Sequence, residues 1–508
     1  MYQFLLDLAP AFLERHAAVL LIVVPLISGG FCAFMPNGRL AWLVTLSASI
    51  VSLLCALILL AQVNLLGVIS YHVGGWAPPL GIELRVDALN ALFLLIITGI
   101  SVAAALFSLT TVEVEVRSEK RALFYAAHLI CLTGLLGVAT TGDAFNLFVF
   151  LEISSISTYV LIALGASRDR RALPAAFNYL VIGTIGATFY VIGVGFLYAA
   201  TGTLNMADMA VRLAEIGDNR TIHAAFAFIV VGIGVKAAMW PLHQWLPNSY
   251  AYAPSFVTMF LSATSTKVAI YALIRMTFGV FEPAFSLNII NFSAVFVPLS
   301  IFAMLVCSFQ AIFQTDVRRM LAYSSVAQVG YILLGIAIGT SAGLSAGIFH
   351  LANHAMIKGG LFIAVAGVVL AYQGTRLEDF RGLGRAAPFT MTAFAISSLS
   401  LIGMPLTAGF QSKWALMQAL LTSGWWIGAV AIVAASILAV VYMGRVLHAA
   451  FFEAPTNPRK IRREAPLLLL VPLWALALAN LWIGVQADWV VTLTDAAATT
   501  VFGGGGVS

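Results

Sequence analysis

Charged residues are scarce in this chain of 508 residues, where aspartate, glutamate, lysine and arginine together make up 9% and apolar residues make up 61%. Soluble proteins average about 25% charged residues, so this chain could not cover a water-facing surface. The scarcity excludes a soluble enzyme, a disordered protein and a nucleic-acid binder. It predicts a protein embedded in a lipid bilayer.

Cysteine is scarce too, and its distribution excludes a disulfide framework and a zinc site. The four cysteines each lie in an apolar run and form no C-x-x-C pair; they are Cys32, Cys55, Cys131 and Cys307. The chain also lacks a P-loop and a flavin motif, and its G-I-G-V-K-A segment has no strand before it. We therefore expect no cofactor, no metal and no enzymatic activity of its own. The first apolar run follows acidic residues rather than basic ones, so we expect it to be a retained span and not a signal peptide.

Long apolar runs predict fourteen membrane spans within a single integral membrane domain, 1–508. They must be helices, because lipid satisfies no backbone hydrogen bonds and the runs are too long for barrel strands. The predicted spans are 17–35, 40–62, 87–110, 121–140, 143–165, 173–200, 221–247, 252–279, 288–314, 321–340, 344–371, 388–422, 425–452 and 465–489. The expected fold is an all-α polytopic membrane protein.

Two of the predicted spans are interrupted by helix-breaking residues. Span 7 contains Pro241, and the overlong span 12 contains Gly403, Pro405 and Gly409. Broken helices five spans apart are typical of repeated transporter halves, and an odd number of spans in each half makes the repeats inverted. We therefore expect N-terminal helices in 17–110, a first repeat in 121–279 (spans 4–8), a second repeat in 288–452 (spans 9–13) and a C-terminal helix in 465–489.

Lysine and arginine are distributed unequally between the two sides of this arrangement. One side, with both termini, carries five cations: Arg15, Arg85, Arg212, Arg220 and Arg275. The other, called the basic side below, carries 17: Arg39, Arg117, Lys120, Arg121, Arg168, Arg170, Arg171, Arg318, Arg319, Arg376, Arg381, Arg385, Arg445, Arg459, Lys460, Arg462 and Arg463. Positive loops stay in the cytoplasm, so we expect a multi-pass protein of the cell inner (plasma) membrane with both termini outward. The same asymmetry explains the net charge of +5 without a nucleic-acid partner.

Several ionisable residues nevertheless lie inside the predicted spans. Four of the six lysines are there, and one acid, Glu152, lies halfway through span 5. The candidate site residues are Glu152, Lys236, Lys267, His350, His354, Lys358 and Lys413. Lys236 is 13 residues from His223, about 20 Å along a helix, too deep to reach that end of the span. Charges at this depth are costly and are functional by default.

The spacing of these residues is typical of a proton relay. His350, His354 and Lys358 follow at i, i+4 and i+8, so they share one helix face. Burial disfavours the charged form of a lysine, which brings proton exchange into the physiological range, and a nearby carboxylate opposes that effect. Glu152 would thus load or unload Lys236. The structural alternatives are a protonated glutamate bonded to hydroxyls, buried histidines with satisfied nitrogens, and a Lys413 that reaches water. A metal site is disfavoured because span 11 has no carboxylate.

At these residues the chain resembles the antiporter-like subunits shared by the Mrp cation/proton antiporters and respiratory complex I. The resemblance covers nearly all the predicted spans and rests on FNLFVFLEISSISTYVLIALG, GVKAAMWPLHQWLPNSYAYAPS, LSATSTKVAIYALIR, DVRRMLAYSSVAQVGYILLG, FHLANHAMIKGGLF and AGFQSKW. It implies that Glu152 and Lys236 form the family's charge pair and that Lys267, His350, His354, Lys358 and Lys413 carry the pathway onward. GGWAPPLGIELRVDALNALF and TGTLNMADMA resemble the D branch of the Mrp proteins.

Two functions and one structural role remain open at this point. The leading expectation is a proton-translocating subunit of a multisubunit antiporter that exchanges H⁺ for Na⁺ or K⁺, with other membrane subunits and the lipid bilayer as partners. The alternative is a proton-pumping subunit of complex I or of a membrane-bound hydrogenase, driven by redox chemistry in another subunit. A purely structural scaffold would make the buried charges dispensable, which their number argues against.

Overall fold

The computed structural model describes residues 2–7, 10–455 and 464–503. The predicted basic-side cations Arg459, Lys460, Arg462 and Arg463 lie outside the described residues. Within them, 12 helices are long and apolar enough to cross a membrane: Ala11–Ala33, Gly38–Leu66, Ala88–Glu115, Ser118–Thr140, Ala144–Ser167, Ala172–Thr201, Ser255–Val280, Phe292–Ile312, Val317–Ala337, Ser341–Tyr372, Trp426–Phe452 and Leu467–Val485. Each of the 12 matches one predicted span, which confirms a polytopic helical membrane fold.

The two remaining predicted spans, 7 and 12, are each divided into two shorter helices. Span 7 consists of Arg220–Lys236 and Trp245–Tyr252, and span 12 consists of Pro388–Ile402 and Ala408–Thr422. In span 12 the helix ends at Gly403, whose φ of +93° is readily adopted only by glycine. Each of these four helices is too short to cross a membrane by itself. The prediction of fourteen spans, which counts each pair as one crossing, therefore stays a prediction.

A third break divides the predicted span 252–279, which we expected to be continuous. The helix Ser255–Ala263 ends at Thr264 (φ −123°, ψ −57°), and a new helix, Ser265–Ile274, follows at once. A π-helical turn, Arg275–Val280, completes this element. The prediction of an unbroken helix over 252–279 is wrong, because no proline or glycine marks the break in the sequence.

The helical fold includes one short hairpin that was not predicted. Ile69–His72 and Glu83–Val86 form an antiparallel hairpin between two membrane-spanning helices. Each strand is only four residues long, so alternation in the sequence is too short to predict it. Two helices of more than ten residues also lie largely outside the predicted spans. They are an amphipathic helix, Met206–Ile216, and a C-terminal helix, Asp488–Phe502; the helix before the latter ends at Val485 rather than at the predicted residue 489.

The two predicted repeats share one feature of backbone pairing. In each, the start of the second helix pairs with the segment that follows the third helix. The bonds run from Ala144 N to Leu204 O, Met206 N to Gly142 O, Val317 N to Thr375 O and Leu377 N to Thr315 O, at 2.8 to 2.9 Å. Asp143 and Asp316 lie at these crossings and cap the helices that follow. The first crossing adjoins the hairpin and the second lies on the basic side, which supports the prediction of inverted repeats.

Candidate functional site

Glu152 and Lys236 form an ion pair deep within the first half of the chain. Lys236 Nζ lies 3.2 Å from Glu152 Oε1 and also donates to the hydroxyl of Ser155. The lysine side chain is 5% exposed and the glutamate side chain is 21% exposed. The carboxylate therefore offsets the charge of a lysine that is almost completely removed from solvent.

The break in span 7 positions Lys236. The residue is the last one of its helix, where main-chain carbonyls have no partner within the helix. Trp245, from beyond the break, donates its indole N–H to the carbonyl of Val235 at 3.0 Å. Pro241 lies between them and has no N–H with which to continue the helix. The interruption thus fixes Lys236 at a helix C-terminus, where the helix dipole favours a cation.

Aromatic rings continue from the ion pair toward the middle of the protein. Tyr159, one helical turn beyond Ser155, packs edge to face on Tyr179 with ring centroids 4.9 Å apart. Tyr179 stacks on Trp245 at 4.1 Å. The buried Tyr159 hydroxyl lies near the hydroxyls of Ser155 and Thr184. The Tyr159 side chain therefore extends the polar surroundings of Lys236.

Replacing Gly183 with alanine is expected to slow transport several-fold. A Cβ there would lie 2.5 Å from Tyr159 Oη and 3.6 Å from Lys236 Nζ, so one of these groups must move. Gly195→Ala, in the same helix, is the matched control because its Cβ would meet nothing within 4 Å. Vesicle transport rates and thermal unfolding of both variants check this expectation, and equal rates would contradict it.

Lys267 is held by the unexpected break at Thr264 rather than by an acid. Its side chain is 1% exposed, and Nζ donates to the carbonyl of Ser262 and, at 3.3 Å, to the hydroxyl of Thr266. The break leaves carbonyls of the first short helix without partners in that helix. Among the described residues no carboxylate lies within ion-pair distance of Lys267.

His354 and Lys358 lie one turn apart on the helix Ser341–Tyr372, and both are completely buried. Lys358 Nζ donates to the carbonyl of Leu321 at 2.8 Å and to the hydroxyl of Ser324. Neither ring nitrogen of His354 has a hydrogen-bond partner within residues 10–455 and 464–503. A satisfied structural histidine, the alternative considered from sequence, does not fit this ring.

His350, by contrast, is hydrogen-bonded on both sides. Its Nε2 is 2.8 Å from Gln328 Oε1, and its Nδ1 is 2.9 Å from Ser412 Oγ. The amide oxygen can only accept, so Nε2 carries a proton and Nδ1 of the neutral ring accepts from the serine. Ser412 precedes Lys413 and also contacts the carbonyl of Ala408 at 3.2 Å. The hydroxyl thus has two acceptors, which lets it switch partners when the ring changes its protonation state.

The side chain of Lys413 reaches the end of the first half of span 12. Its Nζ donates to the carbonyls of Leu401 and Ile402 at 3.0 and 2.9 Å and to Ser436 Oγ at 3.1 Å. It also lies 4.8 Å from the centroid of the Tyr331 ring. The helix break therefore supplies the negative end of a helix dipole to a lysine that is 5% exposed. A snorkelling lysine, the alternative considered from sequence, does not match this burial.

Five of the seven candidate residues lie in one buried region. His350 bonds to Ser412, the neighbour of Lys413, and a charge on Lys267 would act on His350, His354 and Lys358. The Glu152–Lys236 pair is separate, because no hydrogen bond joins it to Lys267 among the described residues. These five residues, Lys267, His350, His354, Lys358 and Lys413, are called the row below. They come from spans 8, 11 and 12 and so lie on both sides of the boundary between the two predicted repeats. None of the described residues forms a group of three or more histidines, cysteines or carboxylates able to hold a metal ion.

Several polar partners of these residues were missed from the sequence. They are Ser155, Tyr159, Ser262, Gln328, Tyr331, Ser412 and Ser436. Ser155 and Tyr159 were recognisable, since they follow Glu152 at i+3 and i+7 and so lie on the same helix face. Ser262 lies only five residues before Lys267, but its carbonyl is free to bind the amine only because of the unpredicted break at Thr264. The others bind residues of distant helices, and no spacing within the sequence indicates them.

A family model and two curated relatives match this chain. The model described as NADH:quinone oxidoreductase/Mrp antiporter, TM, matches residues 141–439, more than half of the chain. The N subunit of a NADH-quinone oxidoreductase from Desulforudis audaxviator is 38% identical over 94% of this chain and 98% of its own. The D subunit of a Na⁺/H⁺ antiporter from Bacillus subtilis is 32% identical over 96% of this chain and 97% of its own.

A solved structure leads to the same assignment. A chain of the Mrp complex from a Dietzia species is 27% identical, and the match covers 97% of this chain and 98% of that one with a TM-score of 0.88. The chain belongs to the transmembrane family shared by NADH:quinone oxidoreductases and Mrp antiporters.

Proposed function

We propose that this protein is the proton-translocating subunit of a multisubunit antiporter that exchanges H⁺ for Na⁺ or K⁺. The observation that carries the proposal is the set of buried amines: one pairs with Glu152, and three others are held by carbonyls and hydroxyls alone. A permanent structural cation would be expected to have a counter-ion. Amines that exchange protons do not need one, because they are neutral for part of the cycle.

In the proposed pathway protons pass between Glu152–Lys236 and the row formed by Lys267, His354, His350, Lys358 and Lys413. The chain acts as a transporter subunit and not as an enzyme. Like the Na⁺/H⁺ antiporter relatives, it would work beside other membrane subunits in the plasma membrane. The excess of cations on the basic side supports an orientation with that side in the cytoplasm and both termini outward.

A second candidate function is a proton-pumping subunit of a redox-driven complex. The observation in its favour is the 38% identity to a protein named for NADH-quinone oxidoreductase. In that case the same residues would move protons, but electron transfer in other subunits would drive them.

The two candidates differ in what drives transport. Everted vesicles containing the complete complex should release an imposed pH gradient on addition of Na⁺ or K⁺, with no electron donor or quinone present. A fluorescent amine that reports the gradient measures this. Vesicles from cells lacking the gene are the control. Proton movement that requires an electron donor and quinone would favour the redox-driven candidate, and no proton movement under either condition would contradict both.

A further inference from the structure

A polar cavity opens on the basic side between the two predicted repeats. Its volume is about 890 Å³. The charged residues that line it are Glu115, Arg168, Asp169, Arg171, Asp316, Arg318, Arg376, Glu378 and Asp379. Arg171 binds Asp169 through two hydrogen bonds of 3.0 and 2.7 Å, and this holds the pKa of Asp169 below its ordinary value. The lining of the cavity is therefore ionic, unlike the apolar surfaces of the helices around it.

Glu115 lies at the inner, buried end of this cavity. Its Oε1 accepts from Arg168 Nη1 at 2.8 Å and from Ser255 Oγ at 2.7 Å, and its Oε2 accepts from the main-chain N–H of Ser255 at 2.6 Å. Arg318 lies 3.6 Å from the same carboxylate. The carboxylate thus connects the cavity to the first residue of the helix Ser255–Ala263, which leads inward to the break at Thr264 and to Lys267.

His128 packs beside the helix Ser255–Ala263, deeper in the membrane domain than Glu115. It is seven residues into the helix Arg121–Thr140, about 10 Å from the end at the basic side. Its ring is packed edge to face between Phe256 and Phe260, with centroid distances of 4.7 and 4.6 Å. The residue is fully buried, and neither ring nitrogen has a hydrogen-bond partner among the described residues.

The His128 ring lies between the cavity and Lys267, where a group that passes protons from one to the other would lie. Phe256 follows Ser255, which binds Glu115, and Phe260 lies two residues before Ser262, whose carbonyl holds Lys267 Nζ. The imidazole therefore lies at a depth between the last group that faces the cavity and the first amine of the row. The other ionisable groups nearby on its own helix, Tyr125 and Cys131, bond to Ser108 and Thr158 and leave the ring free.

We propose that His128 carries protons between the basic-side cavity and Lys267. This inference rests on the proposed function. A proton from the cavity binds the free ring nitrogen, and the proton on the other nitrogen leaves toward Lys267, which becomes an ammonium. The ring returns to its starting form by exchange of its tautomer, so one proton enters and one leaves. Histidine suits this role because one ring nitrogen of the neutral imidazole accepts a proton while the other carries one to give up.

A purely structural role for His128 predicts a different response to substitution. An imidazole with no hydrogen bond costs stability where it is buried, and a phenylalanine would fill the same space between two rings. If His128 only packs, His128→Phe should leave transport unchanged and keep or raise the unfolding temperature. If His128 carries protons, the same variant should assemble normally and transport at least about tenfold more slowly.

The test compares His128→Phe with His448→Phe in everted vesicles of the whole complex. His448 is the matched control because it is 65% exposed and pairs with Glu453 at the surface. A second variant, His128→Ala, leaves space for a small ring, so transport is measured again with added imidazole and with added pyrazole. Imidazole should restore transport, whereas pyrazole, of the same size but a far weaker base, should not.

The outcomes separate this inference from the proposed function. Normal transport by His128→Phe would overturn the role of His128, and so would an equal response of His128→Ala to the two rings. Loss of transport in Glu152→Gln together with normal transport in His128→Phe would leave the proposed function in place and remove only this step. Normal transport in Glu152→Gln, Lys236→Ala and His128→Phe alike would contradict both.

Discussion

Replacing Glu152 with glutamine is expected to abolish cation-driven proton exchange while the complex still assembles. Glutamine keeps the size of the side chain and can accept a hydrogen bond from Lys236, but it cannot hold the negative charge that now lies 3.2 Å from Nζ. Without this charge, burial disfavours the ammonium form of Lys236, and the protonation of Lys236 is no longer coupled to that of Glu152. Exchange in everted vesicles should fall to the level of vesicles that lack the complex.

Lys236→Ala is also expected to abolish transport, in this case because it removes the amine of the pair and keeps the carboxylate. It leaves Glu152 in mid-membrane without its partner, and breaking one member of a buried pair typically costs about 3–5 kcal/mol. A double variant, Glu152→Gln with Lys236→Met, removes both charges and should restore assembly without restoring transport. Co-purification of partner subunits measures assembly independently of exchange.

Two exposed positions provide matched controls. Glu113 pairs with Arg39 at the surface, and Lys120 lies exposed on the basic side. Glu113→Gln and Lys120→Ala change the same side chains in the same way, so both should transport normally. Wild-type exchange in Glu152→Gln and in Lys236→Ala would refute the assignment of this pair to the proton pathway.

Replacing Lys413 with arginine is expected to preserve stability and stop transport. Arginine keeps the positive charge and can donate to the carbonyls of Leu401 and Ile402, but it does not release its proton in proteins. A cavity of about 250 Å³ beside Lys413, lined by Phe410, Trp414 and other residues, provides space for the larger group. A permanent structural cation would tolerate this exchange, whereas a proton carrier would not.

The comparison that decides this point is between two variants of the same residue. Lys413→Met removes the charge and leaves two carbonyls without a donor, so it should lower the unfolding temperature as well as transport. Lys413→Arg should lower transport alone, and Lys120→Arg is the surface control. If Lys413→Arg exchanged protons at the wild-type rate, Lys413 would be a structural cation at a helix end.

Much of this fold follows from the sequence because a bilayer imposes strong constraints. Apolar length predicted all 12 elements of membrane-spanning length, and Pro241 and Gly403 marked the two spans that are divided into shorter helices. Thr264 did not reveal a break because neither it nor its neighbours is a proline or a glycine. The hairpin was missed because four-residue strands leave almost no periodic signal.

The residues of the site were easier to predict than their partners. A lysine or glutamate in an apolar run is visible without a structure, and all seven candidates are within the protein and largely buried. Which groups hold them depends on packing between distant helices. The carbonyl of Leu321 that binds Lys358, for example, is an ordinary main-chain atom that no motif identifies. The roles of the seven residues in transport remain predictions.

Among the described residues, Lys267, Lys358 and Lys413 have no counter-ion, and this limits how many protons the row can hold at one time. Two like charges about 6 Å apart at an effective dielectric constant of about 20 repel each other by roughly 3 kcal/mol, a factor of about a hundred in occupancy. A proton on one amine of the row would therefore oppose loading of a neighbour. If the row carries protons, we expect it to transfer them singly, with a stoichiometry set by mutual repulsion rather than by the number of amines.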